Sequence, residues 1–215
     1  MHSVADNVDT VNMAYHHGQL REALLDAALE LARREGPEAV VLRAASRAAN
    51  VSHSAAYRHF ADRASLLRAV AERCMTRLAL LMEDRIDEVP PGGDALGEAQ
   101  SRLAATGRAY VEFALSEPGW FRTAFGVPRG LSHFQPGEGA GRRGLGPYEL
   151  LGAELDGLVA AGGLPAARRP GAEYPAWSAV HGLSTLLIDG PLRDLPDAER
   201  AQVLDKVFAV VLGGL

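Results

Sequence analysis

The sequence predicts an all-α protein with a small N-terminal head on a larger helical body, and three observations lead there. Apolar residues recur at three- and four-residue spacing along most of the 215-residue chain, the signature of helices that bury one stripe. No alternating apolar and polar run bounded by turn residues occurs, so no strand is expected. Gly36-Pro37, Pro90-Pro91-Gly92-Gly93 and Pro118-Gly119 interrupt the periodic segments where helices should stop.

The first helix is expected from about Gln19 to Glu35, with Leu20, Leu24, Ala27, Ala28 and Leu31 on one face. A short second helix, Leu42 to Ala49, leads to Asn50-Val51-Ser52, where Asn tolerates the left-handed conformation that ends a helix and Ser52 can cap the next. That third helix, His53 to Phe60, is barely two turns long. Asp62 caps a long fourth helix that turns Leu66, Leu67, Val70, Cys74, Leu78 and Met82 inward. A fifth helix, Ala95 to Ser116, precedes an aromatic helical turn from Trp120 to Phe125. Seven glycines between Gly126 and Gly146 suggest a mobile loop, after which Pro147 starts a helix through Leu158. Two apolar helices, Ala176 to Ile188 and Asp197 to Leu212, end the chain and need a partner surface.

A composition of 47% hydrophobic and 23% charged residues excludes a mostly disordered, collagenous or disulfide-stapled chain. Cys74 is the single cysteine, which rules out an internal disulfide and a cysteine-based zinc site and fits a reducing compartment. The longest apolar stretches, such as Val207 to Leu212, fall far short of the roughly 20 residues that cross a bilayer, and no signal-peptide segment is visible. A cytoplasmic location without a membrane partner is therefore expected. The net charge of -5 alone argues against nucleic acid, but between His16 and Arg68 eight arginines outnumber six acids.

Two short helices joined by a tight turn are a unit whose usual work is to set a helix in the DNA major groove. On the third helix, Ala56 and Phe60 can face inward with Val51, leaving His53, Ser54, Tyr57 and Arg58 outward as hydrogen-bonding groups. The amides at the helix starts after Ser52 and Asp62 offer positive ends to phosphates on either flank.

Leu42-Arg43-Ala44-Ala45-Ser46-Arg47-Ala48-Ala49-Asn50-Val51-Ser52, followed by Tyr57-Arg58-His59-Phe60-Ala61-Asp62-Arg63 and Leu66-Leu67, resembles the TetR family of one-component transcription regulators over about residues 17 to 70. The resemblance implies a homodimer reading a pseudopalindromic double-stranded operator with two heads about 34 Å apart. It also implies a C-terminal body that binds a small effector. By motif position, Tyr57, His59 and Arg63 hold phosphates and His53, Ser54 and Ala55 approach bases, with Arg43, Ser52 and Arg58 completing the DNA-binding set. Tyr57→Phe or Arg63→Ala is thus expected to weaken all DNA binding and lessen its salt dependence, and His53→Ala to alter sequence preference. Family members are mostly repressors, so repression is the expected sign. The implied division is an arm at 1–15, a helix-turn-helix domain at 16–62 and an effector-binding and dimerisation domain at 63–215, dimerising through the last two helices.

Three departures stand out. Val41 occupies a position where the family often has a hydroxyl cap, and Asn50 replaces the usual glycine. Ala45 and Ala56 replace larger aliphatic residues, which predicts either closer helix approach or a loosely packed head.

In the second half, Phe113-Ala114-Leu115, Pro118-Gly119-Trp120-Phe121-Arg122 and Trp177-Ser178-Ala179-Val180-His181-Gly182-Leu183 resemble the Trp-x-x-x-His-Gly type of TetR C-terminal domain. Trp177 and His181, four residues apart, share a helix face. They read either as one wall of a ligand cavity, with Tyr110, Phe113, Trp120, Phe121, Phe125 and Tyr148 as the others, or as packed core. Such a pocket would take an apolar or aromatic effector. Gly139-Ala140-Gly141-Arg142-Arg143-Gly144 matches G-x-G-x-x-G, but no strand precedes it, so it reads as loop. His16-His17 reads as part of the first helix's start or of an arm near phosphates. Cys74 reads as inert core. No catalytic constellation, metal site or cofactor is expected, which sets a regulator ahead of an enzyme or of an effector-free architectural DNA protein.

Overall fold

The computed structural model describes residues 5–126 and 139–214, with side chains described from residue 19 onward, and among these every long element is a helix. Helix α1 spans Ala5–Glu35. It starts well before the expected Gln19, so that residues 5–15, assigned from the sequence to an arm, are its first turns. No proline and no glycine lies between Ala5 and His17 to stop a helix already nucleated by the packed turns that follow, and each added residue gains one hydrogen bond. Residues 1–4 of that arm, and the side chains of His16 and His17, lie outside the described residues. Gly36, at φ 82°, ends α1, and a 3-10 turn, Pro37–Ala39, follows.

Helix α2, Leu42–Ala48, starts from Val41 in extended conformation without a side-chain cap. It ends in a Schellman motif: the Val51 N–H donates to Ser46 O at 2.8 Å and the Asn50 N–H to Arg47 O at 3.3 Å. Asn50 carries the positive φ, 54°, that this motif demands. Helix α3 spans His53–His59, capped by Ser52. Helix α4, Arg63–Asp87, carries a full capping box between Asp62 and Ser65. Its 25 residues extend about 37 Å at 1.5 Å each.

Helices α5 (Ala95–Ser116), α6 (Pro118–Gly126), α7 (Pro147–Ala160), α8 (Glu173–Ile188) and α9 (Asp197–Gly214) complete the body. Helix α6 begins before Trp120 because Pro118 suits a first helical turn, and α8 likewise starts early, with Pro175 in its first turn.

The head's core gathers Leu24, Ala28, Val40, Ala45, Ala56 and Phe60 with Leu66, Val70 and Cys74 of α4 and Ala124 of α6. It therefore runs past residue 62. Ala45 and Ala56 are both at 0% exposure, so small side chains here bring the helices close together. A second cluster joins Leu78 and Met82 of α4 to Tyr110, Phe121, Val180 and Phe208, and a third seals the far end around Leu103, Leu155 and Leu158. Because α4 enters both of the first two clusters along one stripe, head and body share a helix.

Of the glycine-rich stretch expected to be a mobile loop, residues 127–138 lie outside the described residues and 139–146 form a clamped turn, which corrects that expectation. Gly139, at φ 66°, sits where a Cβ would lie 2.4 Å from Met75 Cβ. The N–H groups of Arg142 and Arg143 each donate to the buried Glu83 carboxylate at 2.8 Å. The motif cradles an anion, and that anion belongs to α4.

Candidate DNA interface and effector cavity

Ser52 holds the start of α3 by accepting the Ala55 N–H at 3.3 Å. Ala56 and Phe60 are buried, and Val51 packs against the same core. The opposite side of the helix presents His53, Ser54, Tyr57 and Arg58 to solvent, with Ala55 and His59 half-buried at its edges. Tyr57 is 49% exposed, and its ring meets that of His53 edge to face at 4.8 Å. Arg43 is exposed on α2. The face expected from residue spacing is thus assembled.

Arg63 is placed differently. Its Nε donates to Val40 O at 2.9 Å and its Nη2 to Pro37 O at 2.8 Å, with Glu38 at 3.5 Å. These bonds tie the start of α4 to the turn before α2, where Val41 supplies no cap. The flank after Asp62 is also altered, since its carboxylate accepts the Ser65 N–H at 2.6 Å and fills the helix end that was expected to receive a phosphate. The Ser65 backbone N–H, then its hydroxyl, holds the Asp62 carboxyl below its ordinary pKa.

In the body, a cavity of about 50 Å³ lies among α4 to α9, lined by Met75, Tyr110, Phe125, Tyr148, Trp177, Phe208 and other mostly apolar residues, none of them charged. A recess of about 220 Å³ lined by Phe125, Trp177, Ser178 and His181 shares two of those walls. Three polar side chains form a chain beside them. The Trp177 indole donates to Tyr110 Oη at 3.1 Å, and Tyr110 Oη lies 2.8 Å from His181 Nδ1. Burial pushes the Tyr110 phenol well above its ordinary pKa and pulls His181 below 6.5. Phe121 stacks on His181 at 5.5 Å, behind the recess, and Tyr148 meets Trp177 edge to face at 6.2 Å.

Phe121, expected among the cavity walls, lines neither the cavity nor the recess, and Phe113 and Trp120, expected there too, are elsewhere. They stack on each other at 6.5 Å, and the Trp120 indole donates to Leu29 O of α1 at 2.9 Å. Arg33 and Arg77 lie over its ring at 5.3 and 5.8 Å. These two aromatics belong to the seam between head and body. Sequence spacing carried part of the signal, since consecutive residues on a helix point about 100° apart and Trp120 and Phe121 cannot face the same neighbours. Gly119 closes the seam: a Cβ there would lie 2.2 Å from Arg33 O and 2.3 Å from Ala32 O. Beside it, Arg33 grips Glu117 through two bonds of 2.7 and 2.8 Å.

The pairing of Gly107 with Phe208 escaped the sequence reading. The Phe208 ring occupies the place of a Gly107 Cβ, 2.5 Å away, and only the meeting of α5 and α9 reveals that pairing. Among the described residues no cluster of three or more His, Cys, Asp or Glu is placed to hold a metal, and no helix is long and apolar enough to cross a membrane.

Comparison with known proteins gives the arrangement its place. Over 107 residues the chain is 30% identical to the uncharacterized HTH-type transcriptional regulator YobS of Bacillus subtilis (strain 168), and the match covers 50% of this chain and 52% of that protein, so the chain spans about half the length of that relative. A protein of unknown function from Rhodococcus sp. RHA1 shares its structure at a TM-score of 0.69 with 28% identity, over 94% of this chain and 97% of that one. TetR from Acinetobacter baumannii AYE superposes at 0.59 with 19% identity over 89% and 93% of the two chains. The transcriptional regulator FadR of Bacillus subtilis, in complex with stearoyl-CoA, does so at 0.60 with 13% identity over 90% and 98%. At such identities the last two show the fold alone. Residues 24–70 match the family described as bacterial regulatory proteins, tetR family, and residues 103–211 the tetracyclin repressor-like C-terminal domain. With both its head and its body so matched, the chain belongs to the TetR family of helix-turn-helix transcription regulators.

Proposed function

We propose that the protein is a dimeric repressor that binds a pseudopalindromic operator and lets go when a small uncharged effector, apolar or aromatic, enters the body cavity. The observation that carries this reading is the double allegiance of α6. One side bonds Trp120 to Leu29 O of the head, while the other sets Phe121 and Phe125 against Tyr110 and His181. A ligand that separates the cavity walls displaces Phe125, and with it the helix on which the end of α1 rests. The population then shifts toward a head spacing that no longer fits two successive major grooves.

In this reading Tyr57, Arg58, His59 and Arg43 meet phosphates, His53, Ser54 and Ala55 meet base edges, Ser52 caps the reading helix, and Arg63 holds the head's geometry. The two copies join through α8 and α9, whose outer sides expose Ser178, Gly182, Leu186 and Val210. The stearoyl-CoA bound by the Bacillus FadR is a polyanion; the uncharged lining here favours a ligand without charge.

The test is a gel shift with the protein's own upstream intergenic DNA, repeated with a panel of neutral aromatic compounds. Specific retardation that one compound abolishes and others do not is the expected result. Retardation indifferent to every compound would leave a DNA-binding protein without an effector, and its absence at low salt would sink the regulator.

A further inference from the structure

The bonding around His181 determines what its ring can offer a ligand. An indole N–H can only donate, so Trp177 makes the Tyr110 oxygen its acceptor at 3.1 Å. Among the described residues the phenolic hydrogen then has one acceptor in reach, His181 Nδ1 at 2.8 Å. To accept it Nδ1 must carry a lone pair, which puts the single proton of the neutral imidazole on Nε2. That nitrogen has no partner among the described residues and is not sealed from solvent. Phe121, stacked at 5.5 Å, and Phe125, edge-on at 5.1 Å, hold the ring's plane. Desolvation keeps the ring neutral near pH 7. The hydroxyl that lines the recess, Ser178, is exposed on α8 and can donate or accept, so it does not discriminate between the two.

We propose that the effector carries a single hydrogen-bond acceptor, a ketone, ester or ether oxygen, on an otherwise apolar and uncharged skeleton, and that His181 Nε2–H is the group that selects for it. The proposal rests on the body cavity being the effector site and on the effector reaching from it past the shared walls Phe125 and Trp177 into the recess that His181 lines. A hydrocarbon of the same shape leaves a fixed N–H unpaired in a partly desolvated recess, and a site built to hydrogen-bond rejects the analogue that lacks the partner. A carboxylate brings a charge into a lining that supplies no cation to meet it.

Three probes of one shape separate these cases: 2-acetylnaphthalene, 2-isopropenylnaphthalene and 2-naphthoate, titrated calorimetrically into the full chain without DNA at pH 7.5. The ketone is expected to bind about tenfold tighter than the alkene, which is the worth of one hydrogen bond, and tighter than the naphthoate. In His181→Phe the ketone and alkene should converge while the alkene keeps its affinity. His181→Gln should restore most of the preference, because its amide oxygen accepts from Tyr110 and its NH2 donates. Nitrogen NMR of the free protein should show Nε2 protonated and Nδ1 bare, a readout that needs no variant. Equal binding of ketone and alkene, a preference that survives in His181→Phe, naphthoate as the tightest probe, or a protonated Nδ1 each overturns the proposal while leaving the cavity as effector site. Failure of all three probes to bind overturns both.

Discussion

Arg63 and Arg58 are neighbours on the head with different work. Arg58 is exposed on the reading helix, whereas Arg63 spends its Nε and Nη2 on the carbonyls of Val40 and Pro37. Arg58→Ala should therefore lower the salt slope of DNA binding by about one, the signature of a lost phosphate contact. Arg63→Ala should weaken binding with the slope unchanged and lower the melting temperature, because it frees the turn before α2. This differs from the expectation drawn from motif position alone, and a salt titration of both variants decides: an equal drop in slope would mean that Arg63 leaves its carbonyls for phosphate. His181 supplies a second prediction. Its folded pKa lies below the ordinary 6.5 because burial disfavours the cation. As pH falls below about 6.5 the unfolded chain binds a proton that the folded one resists. The stability His181 contributes is complete above that value and is lost as pH drops through the folded pKa. Tyr110, the titratable side chain it touches, stays protonated throughout because burial raises its pKa. Melts of the parent should fall relative to His181→Gln between pH 7.5 and 5; parallel curves would contradict this.

Two helices link head and body, and they do so in different ways. Helix α4 runs through both cores as one stripe, which its apolar spacing announced. Helix α6 was legible as an aromatic turn but not as a seam, because its neighbours on α1 lie some 90 residues away in the chain. The sequence placed Trp120 and Phe121 together among the cavity walls; only packing said where each one went. Gly119 tests the seam. A methyl there would meet the carbonyls of Ala32 and Arg33, backbone that cannot step aside. Gly119→Ala should cost about 1 to 3 kcal/mol in thermal unfolding, in the range of overpacked cores, and should alter operator affinity although the residue touches no DNA. An unchanged melting temperature would mean that α6 is not pressed against α1. The clamped turn at 139–146 teaches the same lesson, for its glycines suggested mobility until Glu83 was found between its amides.

For the whole molecule, the proposed function needs a dimer, because a second copy would set the spacing of the heads. Leu186 is 43% and Val210 76% exposed on one copy, apolar area that a second copy would cover. Leu186→Glu with Val210→Glu should yield a monomer by sedimentation whose heads keep their hydrogen-exchange protection but no longer retard the operator. A variant still dimeric would move the interface away from α8 and α9.

The sequence by itself determined the helices, the two caps at Ser52 and Asp62, the left-handed Asn50 and the outward face of α3, because each of these depends on residues within about five positions of one another. The tertiary structure alone decided that Arg63 holds a turn, that Trp120 leaves the cavity and that Trp177, Tyr110 and His181 form one hydrogen-bonded chain. Those outcomes hang on contacts between segments distant in the chain, where competing partners are equally close in sequence terms and only packing selects among them.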